Sequence, residues 1–451
     1  MKKVRIGSGA GYGGDRIEPA IDLIEHGNLD YIIFECLAER TISLAQKEKQ
    51  NNPNKGYNDL FEYRFDKILD SLKSHKVKVI TNMGAANPKS AAEACYEMAL
   101  KKGFSNLKIA YVLGDDMSTS LSKYMDFEVL ETGRKLSDIQ GEILSANGYI
   151  GIEGIVKALE NNADIVITGR VADPSLSLGP LVHEFGWLFQ DYEKLGKGTW
   201  VGHLLECAGQ VTGGYYAEPG YKEVPELWNL GFPILEVDEA GDAIVQKLNM
   251  AGGMVTTETV KEQTLYEIQD PENYYTPDVI ADFGKVMITQ FAKDQVSISG
   301  ASGKAPTGKF KTSVGYHDCY IGEGQISYGG SNALAKAKLA REILEKRFER
   351  IGLDCEEIRF DYIGWNSLYG DSLAEELCFH TPSEVRLRVA ARVKSISDAQ
   401  IIGNEVEALY TNGPAGGGGA MKNVIDIISI ASIFIPADEF SISVGYLEVD
   451  K

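Results

Sequence analysis

The sequence predicts an α/β protein: an N-terminal three-layer domain with a parallel sheet and helices on both faces, then a C-terminal α+β domain. Three observations carry this reading. Over the first 180 residues, short β-branched runs alternate with helix-like stretches, and each run ends in Gly, Asn or an acidic residue. The intervals between runs are wide enough for crossover helices. Past about residue 285 a different mixture takes over, with strands around one long amphipathic helix.

The runs lie at 4–7, 31–36, 77–82, 109–114 and 165–169, giving at least five parallel strands. Helices are expected at 17–26, 60–74, 88–102 and 152–161. In the third, Asn87 caps, Pro88 occupies the first turn, and Ala91, Ala92, Ala94 and Ala99 favour helix. At 185–231 tryptophans, tyrosines and glycines crowd together, which reads as loop-rich decoration over a cleft. A hairpin at 233–237 and 243–247 turns through Glu239-Ala240-Gly241-Asp242, and a helix follows at 256–269. Strands at 309–320 and 325–328, a helix at 332–351, and strands at 357–363 and 385–393 fit a ferredoxin-like arrangement. The expected domains are therefore 1–284, with the cleft insertion, and 285–451.

Composition narrows the function class. With 44% apolar and 24% charged residues, the 451-residue chain has ordinary globular makeup and no period of an internal repeat. A net charge of -20 repels phosphate backbones and anionic lipid, so neither nucleic acid nor membrane is an expected partner. A small-molecule anion remains compatible, because local amides and arginines outweigh a screened distant field. Cys36, Cys95, Cys207, Cys319, Cys355 and Cys378 are scattered without a Cys-x-x-Cys pair, which fits a reducing compartment. Met1-Lys2-Lys3 leads into a polar, glycine-rich stretch rather than an apolar signal core, so a cytoplasmic location is expected. The late apolar run at 425–436 is too short and too interrupted to span a bilayer and reads as a buried element. A homo-oligomer is the expected assembly.

Candidate site residues come from the strand ends, because open α/β sheets bind ligands outside the carboxyl ends of their strands. Gly7-Ser8-Gly9-Ala10-Gly11-Tyr12-Gly13-Gly14-Asp15-Arg16 follows the first strand, where bare amides can hold an anion, and Ser8, Gly9 and Asp15 are its candidate binding residues. Its spacing matches the dinucleotide fingerprint only loosely, with Glu35 at the wrong offset, so no nicotinamide cofactor is implied. The other strand ends supply Glu35, Asn82 with Gly84, Asp115 with Asp116, and Arg170 with Asp173. Glu35 is the preferred acid/base, Asp115 or Asp173 would assist, and Arg170 would orient a substrate carboxylate. Helix capping and a structural ion pair are the mundane alternatives for Asn82, Asp115, Arg170 and Asp173.

Two further segments carry chemistry. In Gly202-His203-Leu204-Leu205-Glu206-Cys207, helical spacing puts His203, Glu206 and Cys207 on one face, suiting a Cys–His pair or a divalent metal, although no zinc signature surrounds them. The other histidines, His26, His75, His183, His317 and His380, are isolated. Gly413-Pro414-Ala415-Gly416-Gly417-Gly418-Gly419 offers a row of amides, with Gly416 and Gly417 as candidate anion ligands; a lid or a linker are the other readings. The turn from Ser302 to Lys309 reads as a solvated basic loop.

Taken together, these segments resemble the acyclic terpene utilisation AtuA-like family over nearly the whole chain. The resemblance rests on Leu29-Asp30-Tyr31 through Leu37-Ala38-Glu39, Thr168-Gly169-Arg170-Val171-Ala172-Asp173, His183-Glu184-Phe185-Gly186-Trp187, the His203 segment, Gln210-Val211-Thr212-Gly213-Gly214, and the 413–419 glycines. Where the family reads Asn-Ala-Gly-Gly-x-Asn-Pro, this chain has Asn82-Met83-Gly84-Ala85-Ala86-Asn87-Pro88, so Met83 and Ala85 depart from the pattern. The resemblance implies an acyl-CoA or small carboxylate substrate and a small ferredoxin-like partner subunit. The leading expectation is hydratase or dehydratase chemistry on a branched or hydroxylated carboxylate or its CoA thioester, with no cofactor firmly implied. A hydrolase using Cys207 or an activated water, and a non-catalytic binding subunit, are the alternatives.

Overall fold

In the computed structural model, which describes residues 2–377 and 382–449, the chain divides into two compact units. Cys378 and His380 lie outside the described residues. The larger unit comprises Met1–Ile139, Ile143–Tyr316 and Ile430–Lys451, and the smaller Gln140–Glu142 and His317–Ser429.

The larger unit opens with β1 (Lys3–Ala10), α1 (Glu18–His26), β2 (Tyr31–Phe34), α2 (Glu39–Asn51), α3 (Phe61–Ser74), β3 (Lys78–Thr81), α4 (Pro88–Lys101) and β4 (Leu107–Leu113). It continues through β5 (Ile143–Gly148), α5 (Glu153–Glu160), β6 (Ile165–Ile167), α6 (Ser175–Phe185), α7 (Tyr192–Glu206), β7 (Pro233–Asp238), β8 (Ala243–Lys247) and α8 (Thr257–Leu265). Short strands β9 (Tyr274–Tyr275), β10 (Ile280–Asp282), β11 (Met287–Ala292), β12 (Gln295–Ser299) and β13 (Ser302–Lys304) complete this part. The remaining elements are β14 (Lys309–Gly329), α9 (Ala333–Ile351), β15 (Glu357–Ile363), α10 (Gly370–Leu377), β16 (Glu384–Val393), α11 (Ile396–Asn412), β17 (Gly417–Pro436) and β18 (Ser443–Val449).

One sheet dominates the larger unit, in the order β11-β12-β8-β7-β1-β2-β3-β6-β4-β18. Its centre, β1-β2-β3-β6-β4, is parallel, and these are the five strands read from the sequence. Both faces are covered. Tyr31 and Ile33 enter the core with Ile155, Leu178 and Leu204 of α5, α6 and α7, whereas Ile32 and Phe34 enter the core with Leu23, Phe65 and Ala91 of α1, α3 and α4. That alternation along a strand buried on both sides explains its continuous apolar run. The four expected helices lie within a residue or so of their expected bounds, and Asn87 caps α4 by accepting the Ser90 amide.

Three expectations differ from the structure. The 185–231 stretch contains α7, a buried 15-residue helix rather than surface decoration. Its glycines are packing devices: a side chain at Gly202 would meet Pro174, and one at Gly196 would meet the Ser302 backbone. The expected break at 284/285 falls inside the larger unit, because β11 and β12 extend the main sheet through β8. Finally, the strands expected at 309–320 and 325–328 are one continuous strand, β14.

In the smaller unit, the elements run β14-α9-β15-β16-α11-β17, with α10 between β15 and β16, and the sheet order is β15-β16-β14-β17. This is the β-α-β-β-α-β connectivity of a ferredoxin-like fold. Its core joins Leu344 and Phe348 of α9 and Ile402 and Val406 of α11 to Leu387 and Val389 of β16. Among the described residues no helix is long and apolar enough to cross a membrane.

Candidate functional site

The parallel strands of the larger unit end at a cavity of about 1120 Å³ whose walls come entirely from that unit. Glu35 follows β2, Arg170 and Asp173 follow β6, and His203, Glu206 and Cys207 end α7. All six line the cavity.

Glu35 is 9% exposed. The Asn82 side-chain amide and the Leu37 backbone N–H both donate to its Oε1, each at 2.9 Å. No described residue donates to Oε2. Burial and the neighbouring Asp173 charge push its carboxyl up to about 8, against the pull of Arg170, Asn82 and the Leu37 amide. Near neutral pH Glu35 therefore holds a proton. Since Oε1 faces two donors, that proton sits on Oε2.

Arg170 is 1% exposed, and its fork is largely committed to the protein. Nε and Nη2 donate to the Val171 carbonyl at 3.1 and 2.7 Å, Nη1 donates to the Leu37 carbonyl, and Nη2 also pairs with Asp173. The guanidinium lies 4.4 Å over the Tyr149 ring. It holds the loops after β2 and β6 together, so the bidentate substrate clamp expected from the sequence has little of the fork left to use. Asp173 is half-exposed to the cavity, and the enclosing walls raise its carboxyl despite Arg170.

His203 is buried, with Nδ1 2.8 Å from Glu206 Oε1. Its Nε2 and Glu206 Oε2 are both buried without a partner. Burial pushes Glu206 up to about 7, against His203. For the imidazole burial works the other way, but Glu206's charge and hydrogen bond raise it overall. The couple therefore shares a proton near neutral pH. Cys207 makes no hydrogen bond to His203, and burial with the Glu206 charge drives its thiol far up, so the Cys–His pair allowed by helical spacing is not formed.

The other candidates divide into supports and outliers. Asp15 lines the cavity, but its carboxylate accepts the Gly11 and Arg16 amides and shapes the loop. Ser8 and Gly9 belong to β1, beside a bulge, and do not line the cavity, because the strand runs through Ala10 before the loop begins. Asn82 orients Glu35 from behind. Gly84 is packing: a side chain there would meet the Thr168 carbonyl at 2.5 Å. Asp115 accepts the Arg170 amide at 3.0 Å and the Asn147 amide at 2.8 Å, and burial pushes it up to about 6, but it lies outside the cavity wall. Gly416 and Gly417 belong to the smaller unit. Among the described residues no three His, Cys, Asp or Glu side chains form a metal-holding group.

Sequence reasoning missed Glu39, Tyr149, Tyr274 and Lys311. Lys311 pairs with Glu39 at 2.7 Å, and Tyr149 donates to the same carboxylate at 3.0 Å, which keeps Glu39 below the usual range in spite of burial. Tyr274 lies 5.5 Å from the His203 ring. Only Glu39 lies close behind a strand that the sequence announces; Tyr149 follows β5, which the sequence did not announce, and Tyr274 and Lys311 arrive from β9 and β14.

The family model described as acyclic terpene utilisation family protein AtuA matches residues 4–446. No curated protein and no solved structure matches the chain.

Proposed function

The chain belongs to the acyclic terpene utilisation family, AtuA, and from that premise we propose that it is a hydro-lyase acting on a branched, hydroxylated carboxylate or its CoA thioester. One observation carries the reading: Glu35 lines a large cavity with Oε1 held by the Asn82 and Leu37 donors and Oε2 without one, an arrangement in which burial raises the carboxyl and a proton would sit on Oε2.

In the dehydration direction, Glu35 gives its proton to the substrate hydroxyl. The C–O bond breaks and water leaves. The Glu206–His203 couple, which lines the same cavity, takes a proton from the adjacent carbon as the C=C bond forms. Positive charge building on a branched carbon is favoured by the carboxylate of Asp173 and by the ring of Tyr274. The reverse sequence hydrates the alkene. Exposed Arg40 and Lys309 on the cavity wall receive the substrate's anionic end in place of the committed Arg170.

The test is a thermal-shift screen of branched hydroxy acids and their thioesters, followed by an assay of water loss from any stabilising compound. Loss of turnover in Glu35→Gln with retention in Cys207→Ala is expected. The opposite pattern favours the hydrolase reading, and ligand-free complexes with a small partner but no turnover favour a binding subunit.

A further inference from the structure

The loop that follows β1 lines the large cavity through Gly11, Tyr12, Gly13 and Asp15, and it rests on a buried cation. Arg64 of α3 is 1% exposed. Its Nη2 donates to the Gly13 carbonyl at 3.2 Å and to the Asp15 carbonyl, whereas Nε and Nη1 are buried without a partner. No carboxylate among the described residues therefore bonds to it. The loop's own acid, Asp15, commits its two carboxylate oxygens to the Gly11 and Arg16 amides, at 3.0 and 2.9 Å.

A guanidinium keeps its charge when buried, and a buried charge without a counter-ion is costly. Pinning two carbonyls does not require it, because a neutral side-chain amide donates as well. The loop above Arg64 gives the charge a use. The Tyr12 and Gly13 amides have no acceptor among the described residues, and bare amides over a positive charge favour an oxyanion. The loop is also close to both proton-transfer groups. A side chain at Gly11 would meet the Cys207 backbone at 2.5 Å, next to Glu206, and one at Gly13 would come within 3.5 Å of the Cys36 carbonyl, next to Glu35.

We infer that this loop is a second oxyanion seat of the cavity, taking a carboxylate or phosphate group whose charge offsets that of Arg64. This rests on the reading of the cavity as a reaction site whose exposed Arg40 and Lys309 hold one anionic end. It makes the substrate doubly charged, with an oxyanion on each side of the reacting carbons.

The test measures calorimetric binding of butyrate, succinate and 3-phosphonopropionate to the full-length chain. These probes have similar length and share one carboxylate, and they end in methyl, carboxylate and phosphonate. Wild type should bind at least one dianion about ten-fold or more tighter than butyrate, as a charge pair in an enclosed site predicts. Arg64→Met, of similar length and uncharged, should reduce that dianion to butyrate's affinity and leave butyrate unchanged. If Arg64→Met does not fold, Gly14→Asp is the second variant. Its added side chain would meet only the Tyr12 ring, and its charge beside the seat should erase the same preference. The dianion that wild type prefers identifies the group the seat takes. Equal losses for every probe in Arg64→Met reduce the arginine to a pin and overturn the proposal. Equal affinities in wild type, an unchanged preference in a folded variant, or failure of every probe to bind overturn it too. The hydro-lyase reading is separable: a seat confirmed while Glu35→Gln keeps full turnover sinks that reading and leaves the seat, whereas lost turnover without a dianion preference does the reverse.

Discussion

Asn82 determines which oxygen of Glu35 carries the proton. Its side-chain oxygen accepts the Cys36 amide at 2.7 Å, so its NH₂ group must be the one that donates to Glu35 Oε1 at 2.9 Å. The bond also favours the ionised carboxylate and pulls the Glu35 pKa down against burial. Asn82→Ala should therefore raise the Glu35 pKa further, loosen the side chain and lower turnover. A pH–rate profile whose alkaline limb moves upward agrees with this; a limb that moves downward or stays in place does not.

Glu35→Gln should lower turnover by at least about a hundred-fold while ligand affinity changes little, because the amide keeps the shape and loses the transferable proton. It should also change how stability depends on pH. The Glu35 carboxyl is raised from 4.5 to about 8 in the folded chain, so its contribution to stability is complete below 4.5 and is lost as pH climbs to 8. Denaturant titrations across that window should show a smaller decline in the glutamine variant than in wild type.

Arg170→Lys should be costly although it keeps the charge. A lysine cannot reach the Val171 and Leu37 carbonyls and Asp173 together, and the buried groups left behind are expensive. The expected loss is about 3 kcal/mol of stability, read from a chemical melt. A variant with wild-type stability and weakened anion binding would instead make Arg170 a substrate clamp.

Ala85 has φ +44°, in the left-handed region that an L-residue enters at a cost of roughly 1–2 kcal/mol. This is the position where the resembling family pattern has glycine. Ala85→Gly should change stability by less than about 0.5 kcal/mol, since relief of strain offsets the added chain entropy and the lost methyl. The same exchange at buried Ala91 inside α4 should cost about 1 kcal/mol or more. Equal losses at the two positions would contradict this account.

Much of the sheet was legible because strands buried on both faces announce themselves as apolar runs, and the helices between them carry caps and alanines. The site was legible only where it follows that rhythm: Glu35, Arg170 and Asp173 stand at strand ends and line the cavity. Ser8, Gly84 and Asp115 share the same sequence position but serve the backbone, a difference set by side-chain direction and by what packs against them. Lys311 and Tyr274 were hidden because long-range pairing alone brings β14 and β9 to the cavity. Helix α7 was obscured by glycines that mimic a loop, yet those glycines allow Pro174 and Ser302 to approach it.

The most direct measurement is a carbon-13 NMR titration of the Glu35 carboxyl in the intact protein, assigned by comparison with Glu35→Gln. A protonated signal at neutral pH and a midpoint near 8 is the predicted result. A carboxylate already ionised at neutral pH, titrating near the ordinary 4.5, would contradict the claim that Glu35 is the acid of this site.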